Sequence, residues 1–181
     1  MAGRSSKPVP EAVAATLASQ LVDKSATDET IQIVLGELSC VASEAFGVTA
    51  AKIAEVIRTQ GGIEVIVGCL VGPSAEETLQ YALSLLGNLL TDCFDPEARS
   101  SLQRFTAAGG LQHLVQLLTA DSPLNLFAAA ALLNATSLDP HGCCTQLRSM
   151  GTDRLVSGMI ATSSDDQLTS YASGVLSNLR A

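Results

Sequence analysis

The 181-residue sequence contains no tryptophan, and aromatic residues together make up only 3% of it. Charged residues are also few, at 15%, whereas hydrophobic residues reach 47%. This balance excludes a disordered chain. The abundant alanine and leucine favour helices, and no alternating apolar pattern between hairpin dipeptides predicts strands. We therefore expect an all-α fold.

Basic residues are scarce, with 10 Lys and Arg against 18 Asp and Glu and a net charge of -8. Phosphate binding needs a basic surface, so nucleic acid is not an expected partner. A partner that is guided by charge would instead be basic.

Long apolar runs are missing as well. None reaches the roughly 18 residues that a membrane-spanning helix needs, so we expect no membrane association. The N-terminus lacks the apolar segment of a signal peptide. We therefore expect reduced thiols at the five cysteines and a location in the cytosol or nucleus.

Residues for catalysis or metal binding are also scarce. The only histidines are His113 and His141, and no glycine-rich loop carries the Lys-Ser/Thr pair of a phosphate site. The stretch His141-Gly-Cys143-Cys144 offers ligand atoms, but no second Cys/His pair completes a zinc spacing. We expect no enzyme activity, no cofactor and no metal.

The sequence repeats itself. Residues 80–89, 126–135 and 170–179 align without gaps, and in each an asparagine follows an aromatic residue by seven positions. The asparagines, which we call the Asn column, are 46 and 44 residues apart. The members are Asn88, Asn134 and Asn178, and the aromatic column is Tyr81, Phe127 and Tyr171. Residues 30–38 form a weaker fourth copy, with Glu37 at the asparagine position.

Two further helical segments precede each copy. Residues 61–70, 109–118 and 150–159 have apolar residues three and four apart, which predicts amphipathic helices. Shorter helical stretches lie upstream, at 50–59, 96–107 and about 140–149. The repeating unit is therefore a short, a middle and a long helix.

Turn residues repeat along with the helices. Asp95-Pro96 and Asp139-Pro140 predict N-caps of the short helices, and residues 74–77 and 164–167 predict capping boxes of long helices. Residues 121–123 have the same role in the third unit. The Gly-Gly pairs permit a sharp turn before the middle helices.

The pattern Gly-Gly-Leu-x-x-Leu-Val-x-Leu-Leu of residues 109–118, followed by Ala-x-x-x-Leu-x-Asn-Leu as at 82–89, resembles the armadillo repeat. The resemblance covers about residues 25–181 and is strongest from 60 to 137. It implies a right-handed α-α superhelix. A two-helix HEAT array is the alternative, but the extra upstream helix and the Gly-Gly turn favour armadillo.

We assign residues 1–9 to a flexible N-terminal segment and 10–181 to the repeat domain. The domain divides into a partial repeat at 10–47 and repeats at about 48–92, 94–138 and 139–181. Stacking predicts two buried columns: the leucines are Leu35, Leu86, Leu132 and Leu176, and the alanines are Ala82, Ala128 and Ala172. We expect the natural solenoid to continue beyond Ala181; self-association through this uncapped repeat is the alternative.

The resemblance implies a concave groove, lined by the long helices, in which Asn88, Asn134 and Asn178 hold the main chain of an extended peptide. An asparagine amide offers both a donor and an acceptor for that purpose. Alternatively, each asparagine bonds within its own repeat or to neighbouring backbone. Glu37 takes the corresponding position in the first repeat.

Importin-alpha-like proteins have tryptophan four residues before each asparagine, where this chain has Ser84, Ala130 and Gly174, with Ile33 in the first repeat. The lack of tryptophan argues against a nuclear-localisation-signal receptor. Beta-catenin-like grooves are basic, and the presence of only three lysines argues against that type too. Ser84 remains a candidate contact for a partner.

The aromatic column contains half of the six aromatic residues. Its members either anchor a partner or wedge between long helices as core. Acidic residues begin each long helix, and they either complement the helix dipole or form a rim that steers a basic segment. This set comprises Asp28, Glu29, Glu76, Glu77, Asp121, Asp165 and Asp166.

These observations favour a protein-interaction scaffold or adaptor that binds an extended or helical partner segment in the groove. One alternative is a regulator that clasps a folded chaperone or enzyme domain. The other is a purely structural segment of a longer repeat protein.

Overall fold

The computed structural model describes residues 9–120 and 123–181, and this part of the chain contains eleven α-helices and no strand. The all-α prediction is confirmed. The helices are α1 (Pro10–Leu21), α2 (Asp28–Ser43), α3 (Gly47–Gln60), α4 (Gly62–Val71), α5 (Glu76–Leu89), α6 (Ala98–Ala107), α7 (Gly110–Leu117), α8 (Leu124–Leu138), α9 (Gly142–Ser149), α10 (Thr152–Thr162) and α11 (Asp166–Arg180).

The long helices α2, α5, α8 and α11 pack side by side, and each contacts the next one along the chain. The middle helices α4, α7 and α10 pack on the long helix that follows them. Helix α1 has this middle position in front of α2 and also contacts α3. The described chain is thus a partial unit of two helices followed by three units of three.

The core runs through the stack as columns of equivalent residues. Leu35, Leu86 and Leu132 are buried, and the column Ala82, Ala128 and Ala172 is fully buried between the long helices. Leu176 is only half-buried, so the prediction for this position is wrong. Leu176 lines an open cleft together with Ile160 and Ser173, so one side of its side chain is uncovered in the described chain.

Glycines make the turns between the short and the middle helices. Gly61, Gly109 and Gly151 have φ values of 90°, 85° and 72°, in the left-handed region that glycine adopts without steric cost. The neighbouring Gly110 is needed for a different reason, because a methyl group there would overlap with the ring of Phe105. The predicted sharp turns are present.

The predicted capping boxes of the long helices differ in detail. Helix α5 follows Ala75, which makes no side-chain cap, and the Ser74 hydroxyl instead donates a hydrogen bond to the Cys69 carbonyl. Asp165, rather than Ser164, caps α11 and accepts hydrogen bonds from two backbone N–H groups. The cap predicted at 121–123 involves Asp121 and Ser122, which lie outside the described residues, as do residues 1–8 of the predicted flexible segment.

Two of the three short helices start later than predicted, whereas α3 starts three residues earlier, at Gly47. Helix α6 begins at Ala98 and α9 at Gly142, so neither Pro96 nor Pro140 is the first helical residue. The carboxylate of Asp95 accepts a hydrogen bond from the backbone N–H of Glu97, and that of Asp139 accepts one from Gly142. Both aspartates therefore stabilise the turn before the helix.

Asp95 also forms a buried ion pair between two units. Its Oδ2 accepts hydrogen bonds from Nη1 of Arg58 and, at 2.6 Å, from the Ser101 hydroxyl. The side chains of Asp95 and Arg58 are 1% and 11% exposed. Because Arg58 belongs to α3, this pair ties the second unit to the start of the third.

Candidate protein-binding groove

The Asn column runs along one face of the stacked long helices, which we call the groove face. Nδ2 of Asn134 donates a hydrogen bond of 3.1 Å to the carbonyl of Gly87, the residue before Asn88. Nδ2 of Asn178 likewise reaches back to the hydroxyls of Thr136 and Ser137, at 3.0 and 3.2 Å. Each asparagine therefore lies beside the preceding one, one helix further along the stack.

These hydrogen bonds leave different groups available for a partner. Nδ2 of Asn134 is engaged with a backbone carbonyl of the preceding long helix, and Nδ2 of Asn178 is engaged with two side-chain hydroxyls of the helix before it. Among the described residues, neither Oδ1 accepts a hydrogen bond. The whole amide of Asn88 is without a partner in the same part of the chain. All three side chains are half-buried, so they remain within reach from the solvent.

Glu37 and Ser84 extend the groove face toward the first unit. Glu37 is exposed on α2 and, within residues 9–120 and 123–181, forms neither an ion pair nor a side-chain hydrogen bond. The hydroxyl of Ser84 accepts a hydrogen bond of 3.1 Å from that of Ser39 on α2. Ser84 thus contributes to packing between α2 and α5, and Glu37 is the carboxylate that is open to solvent.

Tyr81 is a wedge between two long helices. Its ring lies against Gly36 of α2, where an added methyl group would be 3.1 Å from Cε2. Its hydroxyl donates a hydrogen bond of 2.7 Å to Glu77. This hydrogen bond and the negative charge of Glu77 raise the pKa of Tyr81.

The other members of the aromatic column behave in the same way. Phe127 and Tyr171 are partly buried and pack against the hydrophobic core. The amide of Gln167 donates a hydrogen bond of 2.9 Å to the hydroxyl of Tyr171. Like Tyr81, both rings therefore pack against the core and are only partly buried.

The long helices are acidic. They carry a single basic residue, Arg180, against six acidic ones: Asp28, Glu29, Glu37, Glu76, Glu77 and Asp166. The acidic residues concentrate on α2 and α5, whereas α8 carries no charge at all. The stack of long helices therefore changes from acidic at α2 and α5 to uncharged at α8.

The acidic starts of the long helices have mixed roles. Asp165 caps α11, as the helix-dipole interpretation predicted, whereas α2 is capped by Thr27 rather than by Asp28. Asp28 and Glu29 line an open cleft of about 320 Å³ between the starts of α2 and α5. Asp121 lies outside the described residues.

Sequence reasoning missed the residues that join consecutive long helices. The amide of Gln32 donates a hydrogen bond of 2.7 Å to Glu77 and accepts one of 3.3 Å from the Thr78 hydroxyl. Ser39 and Gly36 make further contacts between α2 and α5. Gln32 and Ser39 have no counterpart of the same type in the later units, and Gly36 recurs only as Gly87, so no repeating signal marked these contacts.

The Cys143-Cys144 pair is part of the core. Both side chains are buried, and burial raises the pKa of the Cys143 thiol to about 11. Cys144 donates a hydrogen bond of 3.4 Å to the carbonyl of Asn178. In the described ranges no three His, Cys, Asp or Glu side chains group as metal ligands, and no helix there has the length and apolarity for crossing a bilayer.

Comparison with known proteins gives structural matches only. No family model and no curated protein matches the chain. An engineered protein solved by a structural genomics consortium has a TM-score of 0.75 at 24% identity, and the match covers 94% of this chain and 67% of that one. A designed armadillo repeat protein in complex with the peptide (KR)4 has a TM-score of 0.70 at 19% identity.

The match to that designed protein covers 91% of this chain and 63% of the designed one, so this chain spans less than two thirds of its length. A second designed armadillo repeat protein matches with a TM-score of 0.50 at 17% identity, over 91% of this chain and 81% of that one. At these identities the matches establish the architecture. The protein has the armadillo-repeat fold.

Proposed function

We propose that this protein is a scaffold or adaptor that binds an extended, basic segment of a partner protein along its groove face. The observation that carries the proposal is the Asn column, which is continuous across α5, α8 and α11 and includes at Asn88 an amide that is free among the described residues. A row of amides at regular intervals suits a partner whose own polar groups recur regularly, and an extended main chain is such a partner.

The hydrogen bonds within the stack determine which partner groups each asparagine can take. Asn134 and Asn178 keep an acceptor, Oδ1, that can receive a backbone N–H of the partner. Asn88 keeps both its donor and its acceptor, so it can pair with an N–H and a carbonyl of the same segment. We therefore expect Asn88 to contribute most to the affinity.

The charge of the long helices favours a basic partner. Arg180 is their single cation, and Glu37 presents its carboxylate to solvent at the asparagine position of α2. A basic segment would be steered to this surface, and its cations would lie nearest the half formed by α2 and α5. The designed armadillo repeat protein in complex with (KR)4 supports a basic peptide as a suitable ligand for this architecture.

A titration with synthetic peptides tests the proposal. We expect an alternating Lys-Arg peptide to bind, as measured by isothermal titration calorimetry, and a Glu peptide of equal length to bind far more weakly. The Asn88→Ala variant should bind the basic peptide about tenfold more weakly, since two lost hydrogen bonds of roughly 0.7 kcal/mol each amount to that factor.

The matched control is Gln103→Ala, which shortens an exposed amide side chain on the short helix α6. It should leave the affinity unchanged. Equal binding of both peptides, or an Asn88→Ala variant with wild-type affinity, would show that a partner site lies elsewhere.

A further inference from the structure

Two junctions between units have equivalent positions that are filled by different residues. At the junction of the second and third units, Arg58 of α3 pairs with Asp95. At the next junction, Thr106 of α6 corresponds to Arg58, since each lies three residues before the glycine with positive φ that follows its helix. Asp139 corresponds to Asp95, since each precedes a proline and the start of a short helix. A shorter, uncharged residue therefore replaces the arginine at the second junction.

The third residue of the ion-pair site also has an equivalent. The hydroxyl of Ser101 donates a hydrogen bond to the aspartate and accepts one of 3.3 Å from the arginine. Ser101 and Cys143 each lie eight residues before the glycine with positive φ. Burial and the negative charge of Asp139 raise the pKa of Cys143, and the Thr106 hydroxyl lies beside the same thiol. The second junction thus brings together the same three positions as the first.

The acceptors of the second junction are unused. Oδ1 of Asp139 accepts a hydrogen bond of 2.8 Å from the backbone N–H of Gly142, but within residues 9–120 and 123–181 Oδ2 accepts none. The hydroxyl oxygen of Thr106 is buried and has no hydrogen-bond partner in the same ranges. A carboxylate oxygen and a hydroxyl oxygen are also the two groups that bind Nη1 of Arg58 at the first junction.

A cleft of about 410 Å³ adjoins these two acceptors. Thr106 and Asp139 line it, together with four further residues of α6: Arg99, Leu102, Gln103 and Ala107. Because threonine is several atoms shorter than arginine, the second junction has room for a guanidinium that comes from outside the chain. The volume lies within the range of roughly 300–1,000 Å³ that is usual for ligand sites.

Arg99 limits which neighbours a bound guanidinium can have. Its side chain is exposed and lines the same cleft, but among the described residues it forms no ion pair with Asp139. A segment with a second cation beside its arginine would be repelled by Arg99, whereas an acidic neighbour would be attracted. The Lys-Arg peptide of the groove is therefore a poor ligand for this cleft.

We propose that this cleft is a second binding site, separate from the groove face, for an arginine side chain of a partner protein that is flanked by acidic residues. The guanidinium donates hydrogen bonds to Oδ2 of Asp139 and to the hydroxyl of Thr106. Arg58 makes the same two kinds of contact within the preceding unit. Hydrogen bonds between ionised groups are the strong ones, and the planar guanidinium suits a carboxylate.

A titration with two short peptides tests the site. The first is acetyl-Gly-Glu-Arg-Glu-Gly-amide, and in the second citrulline replaces the arginine, which keeps the shape of the side chain and removes its charge. We expect the arginine peptide to shift the side-chain amide signals of Gln103 in ¹H–¹⁵N spectra and to bind about tenfold more tightly than the citrulline peptide. Equal binding of the two peptides, or no shift at millimolar concentration, would overturn the proposal.

A conservative variant identifies the carboxylate. Asp139→Asn removes the charge and keeps an acceptor for the N–H of Gly142, and it should bind the arginine peptide about tenfold more weakly. The matched control is Asp92→Asn, which removes the same charge at an exposed position in the turn after α5. It should bind as the wild type does. Wild-type affinity in Asp139→Asn, or a control that is equally impaired, would refute the site.

Filling the cleft from within tests the comparison of the two junctions. Thr106→Arg should place a guanidinium at Asp139, as in the preceding unit, and abolish binding of the arginine peptide. Adding Asp139→Asn should then lower the melting temperature by about 2–4 °C more in this variant than in the wild type, because an ion pair is lost only in the variant. Equal decreases, or peptide binding that survives Thr106→Arg, would contradict an arginine site.

The two proposals fail independently. Asn88→Ala should leave the affinity for the acetylated arginine peptide unchanged, and Asp139→Asn should leave that for the Lys-Arg peptide unchanged. Loss of both affinities in Asp139→Asn would show that the cleft is not a separate site.

Discussion

The side-chain amide of Asn134 donates a hydrogen bond of 3.1 Å to the backbone carbonyl of Gly87, 47 residues earlier in the chain. This bond joins α8 to α5 immediately beside Asn88, whose own amide is free among the described residues. The two equivalent asparagines therefore differ in role, because one contributes to the stack and the other is open to a partner.

Their variants should accordingly differ in stability. Asn134→Ala removes the hydrogen bond to Gly87 and should lower the free energy of unfolding by about 0.5–1.5 kcal/mol. Asn88→Ala removes no such bond and should lie within about 0.5 kcal/mol of the wild type. Urea denaturation followed by circular dichroism measures both. Equal losses in the two variants would mean that the bond at Asn134 adds nothing.

The buried ion pair between Arg58 and Asp95 should be far more important than an exposed one. Asp95→Ala leaves the Arg58 guanidinium, 11% exposed, without its carboxylate, and we expect a loss of about 3–5 kcal/mol. The control is Glu64→Ala, whose partner Arg104 is 39% exposed, for which the expected loss is below about 1 kcal/mol. Thermal unfolding of both variants measures the two losses of stability. Losses of equal size would contradict the account.

Leucines at equivalent positions test the packing of the last unit. Leu132 is fully buried between neighbouring helices, and Leu132→Ala should cost about 2–5 kcal/mol. Leu176→Ala alters a half-buried position on the open face of α11 and should cost less. Chemical denaturation of dilute protein measures the difference. The reverse order of losses would show that the stack has another register.

The thiols should fall into two classes. Cys40 and Cys93 are exposed, whereas the other three cysteines are buried. We expect a disulfide reagent to label two thiols rapidly in the native protein and all five after unfolding. Rapid labelling of all five without denaturant would show that the core opens readily.

The same burial predicts a loss of stability at high pH. Burial raises the pKa of Cys69 and Cys143 from 9.0 to about 11. The unfolded chain therefore releases these protons at lower pH than the folded chain, so stability falls as the pH rises from about 9 to about 11. Urea denaturation across this window should show a steeper fall for the wild type than for Cys69→Ala. Identical slopes would contradict the role of the buried thiol.

Much of the architecture could be predicted because stacking imposes a period on the sequence. The spacing of the Asn column repeats along the chain, as do the buried Leu86 and Leu132 and a single glycine with positive φ before each of α4, α7 and α10. The fold follows from these positions, since each must be filled in every repeat for the units to stack.

The remaining details depend on single residues that do not repeat. The sequence predicts Asp95 as a helix cap but does not predict its ion pair. The partner, Arg58, lies 37 residues away on α3, and the equivalent position in the next unit has no arginine. Ser74 was predicted to open a capping box, but a carbonyl at Cys69 competes for its hydroxyl. The sequence also could not predict which asparagine has a free amide, because the hydrogen bonds of each asparagine depend on the helix that precedes it.

The most direct test of the groove is a titration of the ¹⁵N-labelled protein with the alternating Lys-Arg peptide, followed through the side-chain amide signals in ¹H–¹⁵N correlation spectra. We expect the signals of Asn88 to shift most, those of Asn134 and Asn178 to follow, and that of the α6 residue Gln103 to stay in place. Shifts confined to Gln103 and its neighbours, with an unchanged Asn column, would contradict a binding groove on the long helices.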